Sequence, residues 1–186
     1  MIFLSAGHFL KDPGAVANGV QENQLTIELR DLVVKHLISL GQVLGKNFKI
    51  DSDDWDLKTY ISKLKTGSGS VIFEIHFDSS SNPKSSGTTM IIPFREWTKE
   101  KELELQFGKE ISLAVSSTLQ IKNRGVIDET ASARKRLAIM RPEGINGLLE
   151  VCFISNPSDL MKFNQNKDLL ALEIAKILIK YDSLRS

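Results

Sequence analysis

Cysteine, histidine and any surplus of one charge are all scarce in this chain. A single cysteine, Cys152, among 186 residues cannot close an intrachain disulfide, which excludes a cysteine-stapled secreted scaffold and a cysteine-rich zinc module. Any metal must then be met by histidine and carboxylate. The 24 Lys and Arg nearly cancel the 23 Asp and Glu, leaving a net charge of +1, so no whole-protein field draws the chain to nucleic acid or an anionic membrane. No stretch approaches the roughly 18 apolar residues of a membrane span. The first eight residues lack the basic and long apolar segments of a signal peptide, which points to synthesis and folding in a cytoplasm.

What is present is the composition of a globular protein, 41% hydrophobic and 25% charged, at a length that suits one compact domain. Ile2-Phe3-Leu4 reads as a buried strand that breaks at Ala6-Gly7-His8 into a polar loop holding Asp12-Pro13-Gly14. From Glu22 the pattern turns helical, with Leu25, Leu29, Leu32, Val33, His36, Leu37 and Leu40 on one stripe and Gly41 as a stop. Phe48 to Ile50 suggests a strand and Trp55 to Lys65 a helix. Val71 to Phe77 is the strongest strand signal, placing Phe73, Ile75 and Phe77 on one face and Glu74, His76 and Asp78 on the other.

Thr88 to Ile92 predicts a further strand and Thr98 to Leu119 a long helix. Ile121 to Arg136 has no apolar period and reads as a surface loop. Leu137 to Met140 and Gly147 to Phe153 predict two more strands, and Gln165 to Tyr181 a last helix. The alternation predicts an α/β domain over residues 1–186, with a twisted, mostly parallel or mixed sheet of about six strands flanked by helices on both faces.

Of three histidines, His8 and His76 fall at the C-terminal ends of predicted strands, where open α/β sheets place ligand sites. His36 lies mid-helix in the apolar stripe and reads as a packed residue. With Glu22 at the first helix start and Glu150 on a late strand, His8 and His76 form a set that zinc uses. Two imidazoles and one carboxylate leave a fourth position open, as in catalytic and not structural zinc.

Ala6-Gly7-His8, Asp12-Pro13-Gly14-Ala15, Glu22, Ile75-His76-Phe77, Gly87-Thr88, Asn123-Arg124-Gly125 and Leu149-Glu150-Val151-Cys152-Phe153-Ile154-Ser155-Asn156 come in one order along almost the whole chain. In these seven pieces the sequence resembles the zinc-dependent N-acetylmuramoyl-L-alanine amidases of the amidase 3 type. The resemblance implies one zinc ion on His8, Glu22 and His76, with Glu150 as the catalytic carboxylate. It implies peptidoglycan as substrate, cleaved at the amide joining N-acetylmuramic acid to L-alanine. Arg124 is either a partner for a stem-peptide carboxylate or a solvated loop residue. Gly7 and Gly14 allow turns close to the metal and serve equally as ordinary turn glycines.

The sequence also departs from that family. Glu74 and Asp78 stand where a small Ser and an Asn are usual, and as extra carboxylates they either orient the histidines or change the charge around the metal. Cys152, two residues beyond Glu150, shares its face on a regular strand and reads as an apolar filler. Asn156 and Asp159 read as structural residues of a strand-to-helix turn. Two other classes fit the same residues: a different two-histidine, one-carboxylate enzyme, such as a zinc carboxypeptidase-like peptidase or an iron oxygenase, and a catalytically silent wall-binding module. With no leader and no wall-binding segment in view, the chain reads as a bare catalytic domain. A lysin of phage or prophage origin that reaches the wall by another route, or a domain cut from a secreted enzyme, fits that description.

Overall fold

The computed structural model describes residues 1–184. The elements are β1 (Ile2–Ala6), a short hairpin of β2 (Val16–Ala17) and β3 (Val20–Gln21), α1 (Glu22–Ser39), β4 (Phe48–Ile50), α2 (Leu57–Lys63), β5 (Val71–Asp78), β6 (Thr88–Ile92), α3 (Lys101–Leu119), β7 (Asn123–Asp128), β8 (Ile145–Phe153) and α4 (Pro157–Ser183). Six strands form one sheet in the order β4-β1-β5-β8-β6-β7. All neighbours are parallel except β6 and β8, so the sheet is mixed and mostly parallel. Among the described residues, no helix is long and apolar enough to cross a membrane.

Strand alternation divides the apolar residues into two unequal layers. Ile2, Leu4, Phe73, Ile75, Met90 and Leu149 point into the main core, where α1, α3 and α4 contribute Leu29, Phe107, Ile111, Phe163, Ile174 and Leu178. Phe3, Ile72, Ile91 and Leu148 point the other way, covered by Tyr60 of α2 and by Ile139 and Met140 of a 3-10 turn. Helices therefore do lie on both faces, but three long ones share one face and a single short one partly covers the other. Glu74, His76 and Glu150 alternate with main-core residues and so occupy the thinly covered face.

Four local expectations need correction. Residues 123–128 form strand β7 and not a loop; β7 sits at the sheet edge, where a polar, charged strand is tolerated because one side stays unpaired. Leu137–Met140 is no strand, since Ala138–Met140 forms a 3-10 turn. Helix α4 starts at Pro157, eight residues earlier than expected, because Asn156 accepts from the Ser158 and Asp159 amides as an N-cap and proline suits the first turn. Finally, the β5–β8 register slips between His76 and Asp78. That bulge turns Cys152 into the main core beside Val151 and Ile154, away from the Glu150 face.

Arg30 shows how the fold supports the β1 end. It is 3% exposed, and its guanidinium reaches Asp51 at 2.9 Å, Asp31 at 2.8 Å and Asp53 at 2.7 Å, while Asp51 accepts from the Ala6 amide at 3.2 Å. Removing the cation strands a buried carboxylate, a change that costs about 3–5 kcal/mol. Arg30→Ala is expected to lose stability of that order in urea unfolding; a loss below about 1 kcal/mol, the range of an exposed pair, contradicts this account.

Candidate active site

Two strand ends and one helix start meet on the thin face of the sheet. The β1 chain leaves the sheet at Gly7, whose amide donates to the Ile75 carbonyl at 2.7 Å, and His8 comes next with a positive φ of 68°. Such a conformation is uncommon outside glycine and is held here by its surroundings. Thr26 of α1 donates its hydroxyl to the Gly7 carbonyl at 2.8 Å, and Asn23 donates to the Phe9 carbonyl at 3.1 Å. The first turn of α1 is thereby pinned to the loop, and Glu22 is delivered between the histidines.

Glu22 is 4% exposed. Its Oε1 accepts from the Phe77 amide at 3.1 Å and lies 2.9 Å from His76 Nδ1. Its Oε2 accepts from the Ala15 amide at 2.9 Å and lies 3.1 Å from His8 Nε2. Each histidine is backed on its other nitrogen: His8 Nδ1 by Asp12 at 2.8 Å, His76 Nε2 by Glu74 at 3.0 Å. Each imidazole thus lies between two carboxylates, Glu22 on the inner side and Asp12 or Glu74 on the outer side. The two rings meet edge to face, with centroids 5.1 Å apart. Ligand atoms of His8, Glu22 and His76 lie within 4.8 Å of one another, and two imidazole nitrogens with one carboxylate oxygen form a donor set that fits zinc.

Charge follows the same geometry. Burial works to lower His8 and His76, but the bonds to Glu22 and to the backing carboxylates outweigh it and leave both raised. Burial would raise Glu22, yet the bonds from His76 and His8 hold it well below the usual carboxylate range. Glu150 sits directly across the ladder from His76. Burial pushes it up to about 7, against the pull of His76. Its Oε2 is buried without a hydrogen-bond partner, a costly state unless something comes to fill it.

The remaining sequence candidates divide. Arg124 and Asp78 line the same groove as the histidines and Glu150, with Arg124 stacked 5.2 Å over the Phe153 ring. Asp78 accepts from the Ser79 amide at 2.8 Å and meets the charge of Arg124, so the structure does not bring it to either histidine. Asp159 is buried and accepts from Ser86 at 2.6 Å and from the Gly87 amide at 3.0 Å, closing the turn below the groove. His36 is half-buried on α1, near Asp168 and remote from the site. The groove, of about 1360 Å³, runs from the histidines across the sheet between Trp55–Tyr60 and residues 131–139.

Sequence reasoning undervalued the glycines and missed Glu129. A Cβ on Gly7 would stand 2.4 Å from the His76 ring; one on Gly14, which also has φ +64°, would stand 2.6 Å from Glu22 Oε2. Both are spacers that let backbone press against the His76 and Glu22 side chains. Gly7→Ala is expected to displace the His76 ring and so to weaken at least tenfold any zinc taken up between His8, Glu22 and His76, measured by chelator competition; an affinity equal to that of the unaltered protein contradicts the packing. Glu129, fully buried, accepts from the Phe94 and Leu137 amides and from Arg141, and so ties down the segment that walls the groove. Its position beside the Thr and Ala of a polar run gave no sequence signal.

Comparison with known proteins places the chain in a family and matches its fold. The family model described as N-acetylmuramoyl-L-alanine amidase, amidase 3 type, matches residues 2–180. The N-acetylmuramoyl-L-alanine amidase LytC of Bacillus subtilis (strain 168) is 25% identical over 168 residues, covering 88% of this chain and 31% of LytC, so the chain spans about a third of that relative. An N-acetylmuramoyl-L-alanine amidase structure from Clostridium difficile 630 superposes with TM-score 0.79 at 17% identity, covering 100% of this chain and 97% of its own. The catalytic domain of CwlV, an amidase of Bacillus (Paenibacillus) polymyxa var. colistinus, gives 0.74 at 22% identity, covering 97% and 96%. With nearly its whole length inside the family match, and the fold shared with these structures, the chain belongs to the N-acetylmuramoyl-L-alanine amidases of the amidase 3 family.

Proposed function

We propose that this chain hydrolyses the amide between N-acetylmuramic acid and L-alanine in peptidoglycan, using one zinc ion held by His8, Glu22 and His76. The observation that carries the reading is the convergence of two carboxylate-backed imidazoles on Glu22, beside a Glu150 whose Oε2 has no partner. When bound, zinc supplies a water acidified from about 15.7 toward about 7 and a Lewis acid for the scissile carbonyl. Glu150, placed across the ladder from His76, takes the proton of the attacking water. The same carboxyl then gives that proton to the departing alanine nitrogen, which is too basic to leave as an anion. Burial, which raises Glu150, opposes the downward pull of a neighbouring dication and so keeps the carboxyl able both to accept and to donate.

Arg124 serves substrate and not chemistry. Its guanidinium is held over Phe153 at the groove wall, where a two-pronged donor can meet a stem-peptide carboxylate. Arg124→Ala is expected to raise KM for peptidoglycan fragments by roughly the tenfold that a charged hydrogen bond of about 1.5 kcal/mol represents, with kcat little changed. An equal fall in kcat with unchanged KM contradicts that role.

The reading is tested on purified peptidoglycan by following what is released. New alanine α-amino groups without new reducing sugar ends are the expected products. New reducing ends, or amines at other stem residues, would place the cut elsewhere and overturn the assignment.

A further inference from the structure

Glu74 is a buried carboxylate that the proposed reaction does not use. It lies on β5 two residues before His76, on the same face, and is 4% exposed. Its Oε1 is 3.0 Å from His76 Nε2, and its Oε2 accepts from the Ser5 hydroxyl at 3.2 Å. Both oxygens act as acceptors. The bond to His76 therefore requires a ring proton on Nε2 and makes Nδ1 the nitrogen on the Glu22 side, 2.9 Å from Oε1, where it donates while protonated and offers a lone pair to a metal once that proton has left.

Charge makes the arrangement more specific than orientation alone. Burying a carboxylate is costly without a compensating cation, and among the described residues Glu74 pairs with His76. An imidazole that gives its Nδ1 lone pair to a metal is neutral and no longer balances Glu74. The balancing positive charge is then the ion itself, one imidazole away.

We propose that Glu74 is the positioning residue of this centre: it locks His76 in the Nε2–H form with Nδ1 turned inward, and its negative charge strengthens the grip on a divalent cation. The inference rests on the metal reading of the site given above. It assigns to Glu74 and Ser5 a joint task, since Ser5 on β1 holds the second carboxylate oxygen and so fixes the angle at which the first meets the ring.

Zinc affinity of the full chain, measured by chelator competition, together with the visible spectrum of the cobalt-substituted protein, tests this. Glu74→Ala is expected to weaken zinc about 10–100-fold, the usual loss for an outer partner of a metal-bound histidine, and to shift the cobalt spectrum. Glu74→Gln keeps an acceptor for Nε2–H without the charge, so it should restore the spectrum while leaving part of the affinity loss. Ser5→Ala, a small change, should weaken zinc several-fold and carries the test if Glu74→Ala does not fold. Zinc affinity within twofold of wild type and an unchanged cobalt spectrum in all three variants overturn the proposal. A wild-type protein that binds zinc tightly yet frees no alanine amines from peptidoglycan defeats the amidase reading and leaves Glu74 standing; a wild-type protein that takes no zinc defeats both.

Discussion

Glu150→Gln is expected to lower kcat on peptidoglycan by about 10²–10⁴-fold, the span usual for loss of a positioned acid-base group, while zinc content stays at one ion per chain. Glutamine keeps the size and polarity of the side chain but can neither take nor return a proton. The pH profile supplies a second readout. As a base, Glu150 must be deprotonated, so kcat/KM rises with pH through its ionisation and levels above it. Burial pushes the group up to about 7, with Asp78 and Glu22 adding to the rise and His76 and His8 opposing it. A dication beside it favours the carboxylate, so the acid limb of the zinc-loaded enzyme should fall below 7. Glu150→Gln should abolish that limb. A variant with near-normal kcat and an intact acid limb would assign the proton transfer to another group.

His76→Ala should do more, because it removes one of the two proposed imidazole ligands and the tie to Glu74 together. With one imidazole left, zinc binding is expected to drop below detection at micromolar metal and amidase activity to vanish into background. The fold should survive, since His76 faces the groove and not the main core. Circular dichroism with metal-free melting checks that, and zinc analysis after dialysis checks the loss. Retention of a full equivalent of zinc in folded His76→Ala protein contradicts the assigned ligand set. His36→Ala is the matched control, because His36 lies away from the groove beside Asp168 on α4, and it should keep both metal and activity.

These residues were legible in the sequence for a physical reason. Period-two alternation in Val71–Phe77 already separates His76 from its apolar neighbours, and a strand that ends at Gly7 presents His8 instead of packing it. Glu22 was legible because it opens a helix whose apolar stripe is unmistakable. The features that escaped depend on contacts made across the fold. Gly7 looks like any turn glycine until the His76 ring is found where its side chain would be. Cys152 keeps the parity of Glu150 only on a regular strand, and one bulge, set by the pairing of β5 with β8, reverses it. Strand β7 carries no apolar period because it closes the sheet edge, so residues 123–128 read as loop. The Asn156-Pro157 cap was visible in composition, yet the apolar run that marks α4 begins later and set the expected start.

Departures from the family pattern proved as informative as the matches. Glu74 and Asp78 both read as carboxylates near a metal, on one face of one strand. The structure separates them: Glu74 faces His76 Nε2 while Asp78 turns to the Ser79 amide and the charge of Arg124. Residues four apart on a strand are separated by about 13 Å, enough to place one behind His76 and the other on the groove wall.

Diffraction from zinc-soaked crystals, recorded on both sides of the zinc absorption edge, addresses the shared premise of all this most directly. The account predicts one anomalous peak in contact with His8 Nε2, a Glu22 oxygen and His76 Nδ1, with Glu150 facing the position those ligands leave free. A peak coordinated by other side chains, a signal at the iron edge instead, or no peak between the two imidazoles at saturating zinc would contradict it.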